Sequence, residues 1–244
     1  MKEGIQQMIF TTTEGYNVKI IEYNGWYNSK IEFDDGTILD NIILGSLKKG
    51  NVKNPNHKSV YSIGYLGIGS CNSKGIYYQV YNTWKSMFQR CYDKKYQDKQ
   101  PTYKGCLVVE EWHNFQVFAE WHKENYNPKT MEGWQLDKDL LSQDNKIYSP
   151  KTCCFLPKDI NLSLQNRKGK YLQGVRKKTN KFQSIAKTEN GRINLGSFET
   201  EMEAFEAYRT AKERYIKYLA DKYKDAINSK VYEALYNYKV EITD

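Results

Sequence analysis

The sequence predicts a mixed α+β protein made of several small domains. Residues 1–53 alternate polar and apolar side chains around glycine turns, as short strands do, and residues 76–168 place aromatic side chains at helical spacing. Residues 169–214 combine a hairpin pattern with an amphipathic helix. A chain of 244 residues is long enough for two or three such domains. The intervening 54–75 is predicted to be a linker, and 215–244 a helical extension.

The N-terminal module is expected to be a small antiparallel sheet. Glycine turns of the Asn-Gly and Asp-Gly type separate its alternating segments. The predicted strands are VKIIEY at 18–23, SKIEF at 29–33 and TILDNII at 37–43. Six Lys stand against seven acids up to residue 53, so a phosphate-binding surface is not expected here. In outline the module resembles the small barrel-like, SH3-like β domains that precede DNA-processing domains in phage proteins.

Two amphipathic helices are predicted in the first part of the central block. Aromatic stripes of this kind form a core far more often than a cofactor pocket. The apolar faces consist of Val80, Trp84, Met87, Phe88 and Cys91 in the first helix, and of Trp112, Phe115, Phe118, Ala119 and His122 in the second.

A charged hairpin pattern follows these helices. It comprises LDKDLL at 136–141, YSPKTCCFLP at 148–157 and then Asn161. With the Trp-x-x-Met-x-x-Arg-Cys pattern at 84–91, this order resembles a group of phage proteins related to HNH endonucleases. The resemblance implies an HNH-like ββα core with flanking helices.

An active HNH site needs a strand-borne histidine as general base, and a neighbouring aspartate with a helix-borne histidine or asparagine to hold one divalent cation against the phosphate. The resemblance places Asp137 at the metal-binding acid but Lys138 where the histidine belongs. Asn161 completes this degenerate catalytic set. Asn145 joins Asp137 as a candidate metal ligand, because Thr152 stands where many relatives have asparagine. A cleaving enzyme would use Mg²⁺ or Mn²⁺, and no other cofactor is predicted.

Two histidines offer alternative bases in this region. His113 and His122 precede the hairpin, although a helix-surface or core-edge position suits each better. The plain interpretation of Asp137-Lys138-Asp139 is a charged hairpin whose acids pair with nearby lysines. We therefore rank DNA binding above DNA cleavage and leave open whether the protein is an enzyme.

Nearly all of the excess positive charge lies in one short segment. Residues 167–199 contain nine Lys or Arg against Glu189 and Glu199, a net charge of +7 out of +8 for the whole chain. Charge concentrated on one module releases counterions from a polyphosphate and so favours nucleic acid as the partner. The alternative is a solvated basic face on a packing module.

The basic segment also carries a clear secondary-structure pattern. Its predicted strands span 171–177, 181–188 and 192–198, with turns at Thr179-Asn180 and Asn190-Gly191. Thr200 and Glu203 form a capping box, and the apolar spacing that follows indicates a helix with one face on the sheet. A three-stranded antiparallel sheet followed by a helix is therefore expected.

Within this pattern, GVRKK (174–178), LGSF (195–198) and EAFEAYRTA (203–211) resemble the Apetala-two/ethylene-response-factor (AP2/ERF) DNA-binding domain and its phage and mobile-element relatives. That family reads the major groove of double-stranded DNA with its sheet. The residues that the resemblance assigns to DNA binding are Arg176, Lys177, Lys178, Lys181, Gln183 and Arg192.

The five cysteines, Cys71, Cys91, Cys106, Cys153 and Cys154, are expected to be free thiols of a reducing compartment. No apolar run approaches the roughly 20 residues that cross a bilayer. We expect a cytoplasmic protein of a bacterial host cell, with no membrane partner.

Three functions remain open at this point. The first is a phage or mobile-element protein that binds double-stranded DNA and has a degenerate HNH-like core. The second is an active HNH or homing-type endonuclease. The third is a regulator or counter-defence protein that grips a host or phage protein through residues 1–53.

Overall fold

The computed structural model of the chain describes residues 8–69, 76–143, 145–165 and 169–242. It has the mixed α+β class that the sequence predicts. The backbone divides into two compact units: Met1–Lys104 with Val108–Glu120, and Gly105–Leu107 with Trp121–Asp244. Among the helices that the structure describes, none is both long enough and apolar enough to cross a bilayer.

The first unit contains a four-stranded antiparallel sheet. Its strands are β1 (Ile9–Thr11), β2 (Asn17–Tyr23), β3 (Ser29–Phe33) and β4 (Ile38–Ile42), paired in chain order, and helix α1 (Leu44–Lys48) follows. Alternate residues of β2 and β3 are buried and pack on α1. The three predicted strands are confirmed. The sequence missed β1, because three residues are too few to show a periodicity.

Aromatic packing fills the helical part of the first unit. Its elements are α2 (Ile76–Tyr92), α3 (Lys94–Lys99), two 3₁₀ turns (Pro101–Tyr103 and Glu110–His113) and α4 (Phe115–Asn125), which runs on into the second unit. Trp84 and Trp112 are fully buried, and the Trp84 indole N–H donates to the Trp112 carbonyl over 2.7 Å. The interpretation of these aromatic stripes as core is confirmed. Gly64, in the segment predicted as a linker, lies directly against Trp84 and Phe88.

Short strands and one helix form the first half of the second unit. They are β5 (Leu107–Val108), β6 (Gln135–Asp137), β7 (Ile147–Tyr148), β8 (Cys154–Leu156) and α5 (Lys158–Leu164). β6 and β8 pair antiparallel with Asp137 opposite Cys154, and α5 follows β8 after Pro157. We call β6, β8 and the connecting residues 138–153 the central hairpin.

The second half of this unit is a three-stranded antiparallel sheet followed by a helix, as expected from the sequence, and then by a second helix. The elements are β9 (Val175–Lys178), β10 (Lys181–Thr188), β11 (Gly191–Phe198), α6 (Glu201–Lys222) and α7 (Ser229–Tyr236), with β10 in the centre of the sheet. The predicted capping box is confirmed: Thr200 Oγ1 accepts from Glu203 N, and Glu203 Oε2 accepts from Thr200 N.

Helix α6 packs on two different partners along its length. Its first half covers the sheet, where Phe205 and Tyr208 meet Ala186. Its second half shares a core with Leu156, Ile160 and the residues of α7. Asp159 of α5 accepts hydrogen bonds from Tyr223 Oη (3.0 Å) and Lys222 Nζ (3.2 Å). Helix α6 therefore packs against both the β9–β11 sheet and the central hairpin within the second unit.

Candidate nucleic-acid interface

Strand pairing divides the basic residues between the two faces of the β9–β11 sheet. Gln183 pairs with Arg176 on one side and with Ser197 on the other, while Phe182 pairs with Lys177. Paired residues lie on the same face, and successive residues alternate between faces. Ala186 faces α6, so the even-numbered residues of β10 lie on the helix side. We call the opposite side the open face; it carries Arg176, Lys178, Lys181, Gln183, Lys187, Arg192 and Ser197.

The predicted DNA-binding residues are therefore not all brought together. Arg176, Lys178, Lys181, Gln183 and Arg192 share the open face, whereas Lys177 lies on the helix side, with its ammonium 5.6 Å from the Phe182 ring. Period-two alternation separates Lys177 from Lys178, but the sequence alone does not show which of the two lies on the open face. That assignment required the register of β9 against β10.

Lys187 and Ser197 are open-face residues that the sequence analysis missed. Lys187 pairs with Arg192, and period-two alternation from Gln183 along β10 could have found this position. Its ammonium, however, lies 5.5 Å from the centroid of the Tyr215 ring of α6. Ser197 carried no such signal. A β-bulge breaks the register of β11 between Asn194 and Gly196, with Gly196 at φ 136°. The extra residue shifts the alternation and so brings Ser197 to the open face.

Most of the charge on the open face is not neutralised within the protein. Lys181 Nζ lies 2.6 Å from Glu199 Oε1. Within the described ranges, the four other cations of the open face form no ion pair with an acid. All of these cations are exposed. The surface therefore presents a net positive charge to a partner.

The position of Arg176 is fixed by a hydrogen-bonded row across the open face. Arg176 Nε donates to Gln183 Oε1 over 3.1 Å, and Gln183 Nε2 donates to Ser197 Oγ over 3.5 Å. Gln183 is only 7% exposed, whereas Arg176 is exposed. The two terminal amino groups of Arg176 remain available to donate outward.

The β9–β11 sheet approaches α6 closely at Gly174. Gly174 precedes β9 with φ 76°, and a Cβ at this position would lie 2.0 Å from the Tyr208 ring. Its carbonyl accepts from Ile185 N over 2.8 Å, which anchors the start of β9 to β10. Only glycine fits here, because it allows both the positive φ and the contact.

In the central hairpin, Asp137 serves to hold the turn. Its Oδ1 accepts from the backbone N–H groups of Asp139 (2.9 Å) and Leu140 (2.8 Å). Burial raises the pKa of the Asp137 carboxyl above its usual value. A carboxylate that accepts two amides in this way is the pattern of an Asx turn.

Lys138, the residue at the position of the expected base, is buried and engaged. It is 5% exposed, and its Nζ donates to the Asn145 carbonyl over 2.7 Å and to Asp139 Oδ1. The Tyr148 ring centroid lies 5.8 Å from the same ammonium. The expectation that acids of this hairpin pair with nearby lysines is met by Asp139.

The remaining candidates of the nuclease-like set make structural hydrogen bonds. Asn145 Nδ2 donates to the carbonyls of Lys138 (2.8 Å) and Ile147 (2.6 Å), and Asn145 Oδ1 accepts from Ile147 N. Thr152 Oγ1 donates to the same Ile147 carbonyl. Asn161 Nδ2 donates to Gln135 Oε1 over 2.6 Å and so ties α5 to β6. Asn145 closes the connecting loop rather than presenting free oxygens.

Each of the two histidines considered as alternative bases makes contacts of its own. His122 is 4% exposed against the rings of Tyr126 and Phe155, and burial lowers its pKa to about 4. His113 Nε2 lies 3.1 Å from the Val108 carbonyl. In the described part of the chain, no group of three or more His, Cys, Asp or Glu residues is arranged to hold a metal ion.

The cysteines of the described ranges are buried. Cys91, Cys106, Cys153 and Cys154 are not joined in disulfides, as expected. Burial raises the pKa of the Cys153 thiol to about 12 and that of Cys154 still higher. Both therefore stay protonated and unreactive at neutral pH. Cys71 lies outside the described residues.

We compared the chain with models of protein families, with curated proteins and with solved structures, and found no match in any of the three.

Proposed function

We propose that the protein binds double-stranded DNA through the open face of the β9–β11 sheet. The observation that carries this proposal is the exposed, largely unpaired set of cations on one face of a rigid sheet, around a buried Gln183. A two-dimensional array of Lys and Arg side chains suits the phosphates of a duplex, which release counterions on binding. The net positive charge of this face suits a polyanion such as DNA.

Arg176 is the residue best placed to read a base. Within the described residues, its two terminal amino groups donate no hydrogen bond, and arginine reads guanine through paired hydrogen bonds in the major groove. Lys178 and Arg192 are proposed to contact phosphates. This division follows the general rule that phosphate contacts position a protein while base contacts give sequence preference.

The central hairpin is proposed to be a nuclease-like scaffold that no longer cleaves DNA, in a protein of phage or mobile-element origin. The order strand, strand, helix supports the likeness to an HNH core. The contacts of Lys138 and Asn145 weigh against catalysis, because the first is a buried ammonium and the second closes the loop. A lysine whose Nζ already donates to a carbonyl and a carboxylate is not placed to take a proton from water.

Salt dependence of duplex binding tests the proposed interface. We expect Lys178→Ala to reduce the slope of log affinity against log salt by about 0.9, because one phosphate contact is lost. Lys177→Ala is the matched control, since it removes the same charge one residue away on the helix side. Binding of a mixed-sequence duplex is measured by fluorescence anisotropy. Equal slopes for the two variants, or no binding by the native chain, would remove the assignment.

Cleavage is tested on supercoiled plasmid with Mg²⁺ or Mn²⁺ and with chelator. We expect no metal-dependent nicking by the native chain. Asp137→Asn is the informative variant, because the amide oxygen can still accept the turn hydrogen bonds while the metal-binding charge is gone. Nicking by the native chain that disappears in Asp137→Asn would establish the endonuclease instead.

A further inference from the structure

The burial of Gln183 is at odds with a role in contacting DNA. It lies on the open face of the central strand, yet it is only 7% exposed. The side chains of Arg176 and Ser197, its partners on both neighbouring strands, flank it. Both ends of its amide are engaged, the oxygen by Arg176 and the nitrogen by Ser197. A base edge would have to displace these contacts to reach it.

The chemistry of the three side chains fixes the direction of this row. The Arg176 Nε–H is only a donor, so the amide oxygen of Gln183 must face it. The amide nitrogen then faces Ser197, whose hydroxyl can accept. The orientation of Gln183 is therefore set by its neighbours, and the row holds together in the free protein.

We propose that Gln183 is a positioning residue that holds the Arg176 guanidinium for DNA and does not itself contact the nucleic acid; this rests on the proposed function of the open face. Holding Nε leaves the two terminal amino groups of an exposed guanidinium available to donate to DNA. A long, flexible side chain that is ordered before binding loses less conformational entropy when it binds. Gln183 thereby converts one exposed cation of the open face into a fixed, directional donor.

The positioning is tested first without DNA, by nuclear magnetic resonance of the Arg176 Nε–H in the full chain. We expect this proton to exchange slowly in the native protein, and to exchange freely in Gln183→Leu, which removes the acceptor. Gln183→Glu keeps an acceptor oxygen, so protection should persist. If Gln183→Leu does not fold, Gln183→Glu still tests the contact, because a carboxylate is a stronger acceptor and should slow the exchange of the Arg176 Nε–H below the native rate. An unchanged rate in Gln183→Glu would then overturn the proposal. An Arg176 Nε–H that exchanges equally fast in the native chain and in Gln183→Leu overturns the proposal.

The consequence for DNA is tested with a duplex library that has a randomised central segment, sequenced after binding. We expect Gln183→Leu to lower the enrichment of preferred sequences by about tenfold, the range for a lost guanine contact. The salt slope should stay unchanged, because no phosphate contact is lost. Arg176→Ala should lower the enrichment of preferred sequences by a similar factor. The double variant should show no lower enrichment than Arg176→Ala alone. Additive losses would show that Gln183 acts independently of Arg176 and would overturn the positioning role.

The two hypotheses fail in different ways. A native chain that protects the Arg176 Nε–H but binds no duplex contradicts the proposed function and leaves the Gln183–Arg176 coupling supported. A native chain that binds and discriminates duplexes, with Gln183→Leu indistinguishable from it, keeps the function and overturns the positioning.

Discussion

The open face and the central hairpin contain the same kinds of side chain in opposite states. On the open face, Lys178 is exposed and forms no ion pair within the described residues. In the central hairpin, Lys138 is 5% exposed, and its ammonium is satisfied by the Asn145 carbonyl and Asp139. A lysine with unused charge can serve a partner, whereas a buried and satisfied lysine serves the fold. The comparison shows that residue type alone does not separate binding from structure.

The largest effect that we predict is on stability, at Gly174, where the β9–β11 sheet packs against Tyr208 of α6. Gly174→Ala should destabilise the protein by roughly 3–5 kcal/mol, because it adds backbone strain at φ 76° to a collision with Tyr208. Urea unfolding measures the difference. Gly191→Ala is the control, since that glycine also has a positive φ (94°) but open space around it. Similar losses for both variants would mean that Tyr208 does not pack on Gly174.

The central hairpin should respond to loss of its lysine in stability and not in binding. Lys138→Ala leaves a cavity and removes the donor to the Asn145 carbonyl, so we expect a loss of about 2–4 kcal/mol in the free energy of unfolding. The salt slope of DNA binding should be unchanged. Lys151→Ala, at an exposed turn of the same hairpin, is the control for charge. A flatter slope with native stability would move Lys138 to the DNA interface.

The two regions also differ in how they should respond to pH. His122 packs on Phe155 of the central hairpin, and its folded pKa is about 4 against 6.5 for the exposed group. The unfolded chain therefore takes up the proton first, so stability is complete above about pH 6.5 and falls as the pH drops from there towards 4. The contribution lost at pH 5 is about 2 kcal/mol. Burial raises the pKa of the Asp137 carboxyl, so the folded chain takes up this proton before the unfolded chain does. Protonation of Asp137 therefore adds stability as the pH falls, which is opposite to the effect of His122.

Unfolding at pH 7 and pH 5 checks this prediction. His122→Gln should be less sensitive to pH than the native chain over this interval, because its side chain does not titrate. The open-face residues include no histidine. The same pH dependence in both proteins would show that other groups control acid stability.

The sequence predicted local features well and long-range ones poorly. The limits of β10 and the Thr200 cap were predicted because alternation and capping depend on nearby residues. The first strand of the sheet was placed four residues too early, at 171 instead of Val175, because Gly174 must turn before the strand can begin. The turn after β10 consists of Glu189 and Asn190 rather than Asn190-Gly191, with the Thr188 hydroxyl accepting from Asn190 N and donating to the Gly191 carbonyl.

The candidate site residues could likewise be predicted where their positions depend on nearby residues, and not where they depend on distant ones. Alternation from one known position is enough to group Arg176 with Lys178, but the presence of Ser197 beside Gln183 depends on a bulge that no residue pattern marked. The burial of Lys138 likewise depends on Asn145 and Tyr148, which approach it through the folding of the connecting loop. The motif resemblance therefore assigned Lys138 to a catalytic position, but it could not show that the Lys138 ammonium donates to Asp139 and to the Asn145 carbonyl.

The smallest effect on stability, and the only expected gain in binding, concerns the single acid paired on the open face. Glu199 neutralises Lys181 over 2.6 Å, and both side chains are largely exposed. Glu199→Gln should change the free energy of unfolding by less than about 1 kcal/mol, since exposed pairs contribute little. It should nevertheless raise duplex affinity and steepen the salt slope by about 0.9, because Lys181 becomes available to a phosphate.

The control is Glu206→Gln, which frees Arg209 on α6 and removes the same charge away from the open face. A gain of the same size in both variants would mean that net charge alone governs binding, and that the open face has no special part in it.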